Sequence, residues 1–239
     1  MKKPKAGLKN IKAVLRQYGD KEKSLILQGF FKTGPGEYAE GDVFLGIKVP
    51  VLRMLAKRYR DLAFGETLRL LKSPVHEERL LSLFILLLKY RKADLPGKEK
   101  IFKIYLDNTR YINNWDLVDA TAKYIIGDYL KDKNREILYK LAGSSSLWER
   151  RIAIVATHHF IENNDFEDTL KIAKILISDP HDLIHKAAGW MLREAGKRDP
   201  DCEEKFLKKH YALMPRTMLR YAIERFPERK RQAYLRGMV

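Results

Sequence analysis

Apolar residues recur at helical spacing along almost the whole chain. Leu8, Ile11 and Leu15 are followed by Leu25, Ile26 and Phe30. Later Leu170, Ile172, Ala173 and Leu176 are followed by Leu183, Ala187, Trp190 and Met191. Spacings of three and four residues put such side chains on one helical face. Polar or proline-bearing breaks interrupt the pattern: SPVHEE from Ser73, GSSS from Gly143, SDPHD from Ser178, KRDPD from Lys197, MPR from Met214 and FPE from Phe226. The pattern predicts roughly 12 to 14 short helices with tight connections and no strand. The run LLSLFILLL, Leu80 to Leu88, is flanked by Arg79 and Lys89. At this length it reads as a buried core helix rather than a membrane span.

The helices fall into pairs with a repeating distance. Trp115, Trp148, Ile184 and Met218 hold similar positions near the start of an inner helix, with separations of 33, 36 and 34 residues. A fainter predecessor begins near Val75 to Glu78. A two-helix unit of this length is an α-solenoid repeat, in the size range of TPR and HEAT-type arrays. Stacked pairs bury each other's apolar faces and produce a curved array. One domain spanning residues 1–239 is expected, with the inner helices lining a concave surface.

One segment departs from the pattern, Thr33 to Pro50, with Gly34, Gly36, Gly41 and Gly46. No Gly-Lys-Ser/Thr follows it and no strand precedes it, so it is no nucleotide-binding loop. It reads as an ordered surface loop whose backbone amides and Lys48 are available to a phosphate.

Charge adds a partner to this picture. The formal net charge is +16 over 239 residues, with 33% charged and 45% hydrophobic residues. Residues 1–32 hold 9 Lys/Arg against 2 Asp/Glu, and residues 186–239 hold 14 against 7, while the middle is nearly neutral. Two basic ends around a neutral centre suit a polyanion gripped between them. The single cysteine, Cys202, excludes an intrachain disulfide and a cysteine-based metal cluster. No apolar signal region follows the N-terminal lysines, and a cytoplasmic location is expected.

The run NNWDLVDATA, Asn113 to Ala122, carries candidate chemistry. Asn113 or Asn114 suits a helix N-cap and Asp116 the first turn. Trp115 and Asp119 are four apart and share a face. On the residues alone, Trp115 is equally a core tryptophan and Asp119 the partner of a lysine. LWERRIAIVA, Leu147 to Ala156, places Arg150 and Arg151 at the start of the next inner helix, where either one can bind a phosphate or be solvated. HKAAGWMLREAGKR, His185 to Arg198, carries Trp190, which is either core or site, beside Gly189, which lets another surface approach closely.

NNWDLVD, LWERRIA and HKAAGWMLREAGKRDP, in this order and at these distances, resemble the DNA alkylation repair family of AlkD-type glycosylases. The loop GPGEYAEGDVFLGIKVP resembles the form many members carry. The resemblance extends from about Gln28 to Pro200. It implies an all-α, HEAT-like α-α superhelix, curved with a basic concave surface, that removes cationic N3- and N7-alkylated purines from double-stranded DNA without turning the base into a pocket. By the same resemblance Asp119 is the catalytic carboxylate, Trp115 and Trp190 are the cleft tryptophans that hold the lesion, and Arg151 rather than Arg150 is the cleft arginine. No cofactor, metal or membrane is implied, and a monomer is expected.

The chemistry suits those residue types. A purine alkylated at N7 or N3 is cationic and leaves as a neutral base without a general acid. The pair of carboxylates used in glycoside hydrolysis is therefore unnecessary. One fixed carboxylate can stabilise the cation developing on the deoxyribose. Two other readings stay open. One is a non-catalytic helical-repeat scaffold that binds DNA or acidic proteins. The other is a metal-dependent hydrolase using His181 and His185 of the run HDLIH, although no third ligand is evident.

Overall fold

The computed structural model describes residues 7–239. Among these the chain is all-α, helical in short segments from Leu8 to Arg236, and its β-type pairing is an isolated bridge between Val43 and Val75. The chain gathers into two compact units, Met1–Leu117 and Val118–Val239. No helix of the described residues is long and apolar enough to cross a membrane.

The first unit is built around the helix His76–Lys92, which packs against the helices Val49–Arg58 and Phe64–Leu71. Residues Leu80 to Leu87 are all buried. A helix apolar on every side must be enclosed, as the sequence pattern predicts. The SPVHEE segment does not, however, separate helices along its whole length. The break ends at Val75, and His76, Glu77, Glu78 and Arg79 form the first turn of the central helix, each 3% exposed or less.

In the second unit the helix Asp182–Gly196 is the centre. It packs against the helices Leu147–Ala156, Glu167–Ile175, Pro200–His210 and Arg216–Ala222. The inferred register of the repeat is observed. Trp115, Trp148, Ile184 and Met218 are the first, second, third and third residues of their helices. Local chemistry sets the boundaries. Asp94 and Asp199 cap their helices through the amides of Gly97 (3.0 Å) and Cys202 (2.9 Å), each followed by a proline in the first turn.

The helix after Asn114 is short. It runs Trp115–Asp119 and gives way to a π-helical turn, Lys123–Gly127. Such turns widen a helix by one residue and shift its face. Gly127 closes the turn against the helix Leu147–Ala156. A β-carbon there would lie 2.3 Å from the Ala156 carbonyl oxygen. Gly189 has the same function one helix further on, with the Met218 oxygen 2.4 Å and the Tyr221 Cβ 2.6 Å from where a side chain would begin. The close approach that the sequence suggests at Gly189 is thus made by the neighbouring helix.

Because backbone cannot yield as a flexible side chain can, Gly189→Ala should force the helix Arg216–Ala222 outward. A loss of about 1–3 kcal/mol is expected, read as a lower thermal midpoint of unfolding. An unchanged midpoint would show that this contact relaxes freely.

Candidate functional site

Asp119 and Arg151 are brought together, although 32 residues separate them. Arg151 Nε donates to Asp119 Oδ1 at 2.9 Å and Nη2 to Oδ2 at 2.8 Å, a two-pronged pair. Its Nη1 donates to the Leu183 carbonyl at 2.5 Å, at the start of the helix Asp182–Gly196. The guanidinium is 6% exposed and the Asp119 side chain 21% exposed. Planar fork meeting planar carboxylate fixes both position and orientation. The Asp119 side chain is therefore held at a helix end and is partly exposed. Arg151 spends its donors inside the protein, so its first role is to position Asp119. Arg150 points elsewhere. Its Nε donates to Asp179 Oδ2 at 2.6 Å, and its Nη1 donates to the carbonyls of Ser144 and Ser145.

Trp115 is half-buried and held by rings of the first unit. It stacks on Phe31 with centroids 5.0 Å apart, Phe31 stacks on Phe44 at 5.0 Å, and Phe44 stacks on His76 at 4.4 Å. Phe30 meets Trp115 edge-on at 5.9 Å. Phe31 and His76 are themselves 5.2 Å apart, so the tryptophan rests on a cluster of three rings in mutual contact. Offset and edge contacts of this kind contribute about 0.5–1.5 kcal/mol each beyond burial.

Asp116 locks the same turn from the side. His76 Nε2 is 2.8 Å from Asp116 Oδ2 and its Nδ1 is 3.5 Å from Asp42 Oδ2. Arg79 Nη2 donates to Asp42 Oδ2 at 2.6 Å. Burial alone would push the His76 pKa down, but hydrogen bonds to the two carboxylates outweigh it and hold the value above 6.5. Burial likewise opposes ionisation of Asp42, and His76 and Arg79 reverse that, keeping its pKa below 3.8.

Trp190 is half-buried in the helix Asp182–Gly196. Its indole Nε1 donates to Glu194 Oε1 at 3.0 Å, and His158 meets it edge-on at 5.6 Å. Burial, reinforced by Lys123, holds the His158 pKa below 6.5. Glu194 also accepts from Lys197 Nζ at 2.7 Å. Glu194, His158, His76 and the Phe30–Phe31 pair are neighbours of the expected site that the sequence motifs did not name. The repeat carries one signal for His76, because it opens the helix that precedes Trp115 in the array.

One expectation changes, and one of the open readings is left without a site. The loop amides are not available to a phosphate. Those of Leu45, Gly46 and Ile47 all donate to the buried carboxylate of Glu77, at 2.8 to 3.2 Å. Those of Gly34 and Gly36 donate to Glu37 and Glu40. The loop turns its Ala39, Phe44 and Ile47 into the core, and Lys48 remains exposed. The pair His181 and His185 works as a helix cap. His181 Nδ1 accepts from the Leu183 amide at 3.1 Å, and His185 Nε2 donates to the Asp179 carbonyl at 2.6 Å. Among the described residues no group of three or more His, Cys, Asp or Glu could hold a metal ion.

Residues 11–226 match the profile of a family described as DNA alkylation repair enzyme. Among solved structures, a predicted DNA alkylation repair enzyme from Enterococcus faecalis is 18% identical. It aligns over 88% of this chain and 97% of its own, with a TM-score of 0.67. AlkD2 from Streptococcus mutans is 19% identical over 93% of this chain and all of its own, with a TM-score of 0.53. These likenesses show a shared fold. No curated protein matches the chain in sequence.

The buried His76 has a consequence for stability. Its folded pKa lies above the unfolded value, so its contribution is complete below about pH 6.5 and is lost as pH rises through the raised value. The stability difference between the wild type and His76→Gln, measured by urea unfolding, should be largest near pH 6 and smaller near pH 9. Equal differences at both would mean that its charge contributes nothing.

Proposed function

This chain belongs to the DNA alkylation repair family, and from that premise we propose that it hydrolyses the N-glycosidic bond of cationic N3- and N7-alkylated purines in DNA. The observation that carries the reading is the carboxylate of Asp119, gripped by both arms of Arg151 at a helix end and one-fifth exposed. A fixed, partly exposed carboxylate suits a reaction that develops positive charge on a sugar. No general acid is required, because the alkylated base leaves neutral and without being turned into a pocket first. The carboxylate need supply only about 3–4 kcal/mol for a rate effect of a few hundredfold.

The other residues have supporting roles in this proposal. Trp115, held upright by Phe30 and Phe31, and Trp190, oriented by Glu194, hold the cationic nucleotide by cation–π contact, worth roughly 0.5–2 kcal/mol each. Arg151 positions Asp119, and a DNA phosphate near the lesion competes with that carboxylate for the same guanidinium. The many lysines and arginines of residues 1–32 and 186–239 bind the backbone. Double-stranded DNA is the partner, the chain acts as a monomer, and residues 1–239 work as one catalytic domain.

Asp119→Asn tests the assignment. It should retain DNA affinity and slow release of 7-methylguanine from methylated DNA by about tenfold or more. Wild-type release rates in the variant would exclude Asp119 from the chemistry, and no release by the wild type would favour a DNA-binding scaffold. Binding to undamaged duplex should weaken steeply as salt is raised.

A further inference from the structure

The C-terminal end of the helix His76–Lys92 borders a groove of about 310 Å³ in the first unit, which the chemistry above does not use. A helix rises about 1.5 Å per residue, so Lys89 lies roughly 20 Å along the axis from His76 and the turn it fixes. Phe64, Leu88 and Ile101 give the groove an apolar lining. Arg60, Lys89, Lys92 and Lys100 line it as well, against one carboxylate among the lining residues, Asp61. That carboxylate is 3.9 Å from Arg60, and its side chain is 74% exposed.

Four cations share this groove although the middle of the chain is nearly neutral as a whole. Phe64 places two of them. Lys89 Nζ is 5.2 Å and Lys100 Nζ 4.7 Å from the centroid of its ring, so both ammonium groups converge on one aromatic side chain. The ring attracts each cation but neutralises neither. None of Lys89, Lys92 and Lys100 has an ion pair among the described residues. By contrast, Lys103 and Lys140 pair with Glu99 and Glu136, one turn before them, at 2.6 and 3.0 Å. The dipole of the helix His76–Lys92 favours Lys89 and Lys92 in its last turn, but it does not account for Lys100, which stands inside the helix Leu95–Leu106. Partial burial holds the Lys89 pKa below 10.5, with Asp61 opposing. Like charges gathered on an apolar surface repel one another, and a bound anion relieves that repulsion.

We infer that this groove binds a phosphomonoester carried on an apolar body, with the phosphate among the lysines and the body against Phe64, Leu88 and Ile101. A phosphomonoester carries nearly two negative charges at neutral pH and so matches more than one lysine, whereas a carboxylate carries one. Lysine serves phosphate as a compact point charge with three donors. Small-ligand sites begin at roughly 300 Å³, so the space suffices for a phosphate with an aromatic body. The bearer is either a free small molecule or the phosphorylated end of a nucleic-acid strand. No covalent step is involved, and the site is independent of Asp119.

1-Naphthyl phosphate, titrated into the DNA-free protein and followed by amide NMR, provides the test. Saturable shifts are expected at the amides of Ala93, Gly97 and Ile101, at millimolar affinity or tighter. Inorganic phosphate and 1-naphthol, each lacking one half of the probe, should bind several-fold more weakly. Lys89→Gln combined with Lys100→Gln should weaken 1-naphthyl phosphate by about tenfold or more. Lys140→Gln combined with Lys171→Gln removes the same charge from the second unit and should leave the affinity unchanged. The shifts in the wild type decide the matter should a variant be unstable. No saturable shift at these amides, phosphate or 1-naphthol as tight as the ester, or equal losses in the two double variants overturns the inference. A thymidine hexanucleotide with or without a 5′-phosphate then identifies the bearer by competition. Displacement of the probe by the phosphorylated form alone supports a strand end, and displacement by neither supports a free small molecule. Equal displacement by both means that a phosphodiester backbone binds there, which overturns the phosphomonoester assignment.

Discussion

Four consecutive polar residues, His76, Glu77, Glu78 and Arg79, are buried at the start of an apolar helix, and the first unit is organised by their need for partners. An unpaired charge in such a place would cost several kcal/mol, so the surrounding chain must supply counter-groups. Glu77 gathers the amides of Leu45, Gly46 and Ile47 and so shapes the loop. Glu78 pairs with Lys12 at 2.7 Å, and Arg79 holds Asp42 and the Ser73 carbonyl. His76 reaches Asp116 and thereby fixes the turn that presents Trp115. One helical turn thus ties together the first helix, the glycine-rich loop and the edge of the candidate site. Breaking any one of these bonds leaves a buried charge behind, which gives them more influence than an equal number of surface pairs.

The helical fold was legible because apolar periodicity is a local property. The places of Trp115, Trp148, Ile184 and Met218 near the starts of their helices followed from spacing alone. The buried turn was not legible, because HEER reads as a solvated stretch unless partners 30 or more residues away are known. The same limit applied to the loop, where glycine-rich sequence suggested free amides and the distant Glu77 had already taken them. Gly189 shows it again: the sequence signalled a close approach, but only the packed helix identified Met218 as the neighbour. For the candidate site, the motif residues were legible by resemblance. The grip of Arg151 on Asp119 and the ring cluster behind Trp115 depend on tertiary contacts and had no local signal, whereas the hydrogen bond from Trp190 to Glu194 joins residues four apart on one helix.

The environment of Asp119 differs from that expected of a lone catalytic carboxylate. Its partner guanidinium orients it and also offsets its charge. Such an arrangement trades electrostatic strength for positional accuracy, which suits a bond already weakened by a positive charge on the base. In the proposed reaction, a DNA phosphate that draws on Arg151 would shift that balance toward the carboxylate and so couple substrate binding to charge stabilisation through one side chain.

The anchoring of Arg151 on the Leu183 carbonyl also bears on biosynthesis. A nascent chain emerges from its N-terminus, and its compact units fold in that order. The first unit can assemble its ring cluster once Trp115 has been made. The five-residue helix that ends at Asp119 is too short to persist unaided. Its carboxylate acquires a fixed orientation only when Arg151 and then Leu183 have been added and packed. A truncated or stalled product ending before Leu183 would therefore carry Asp119 and Arg151 without the anchor that sets their geometry. Competence at this site is acquired late in translation.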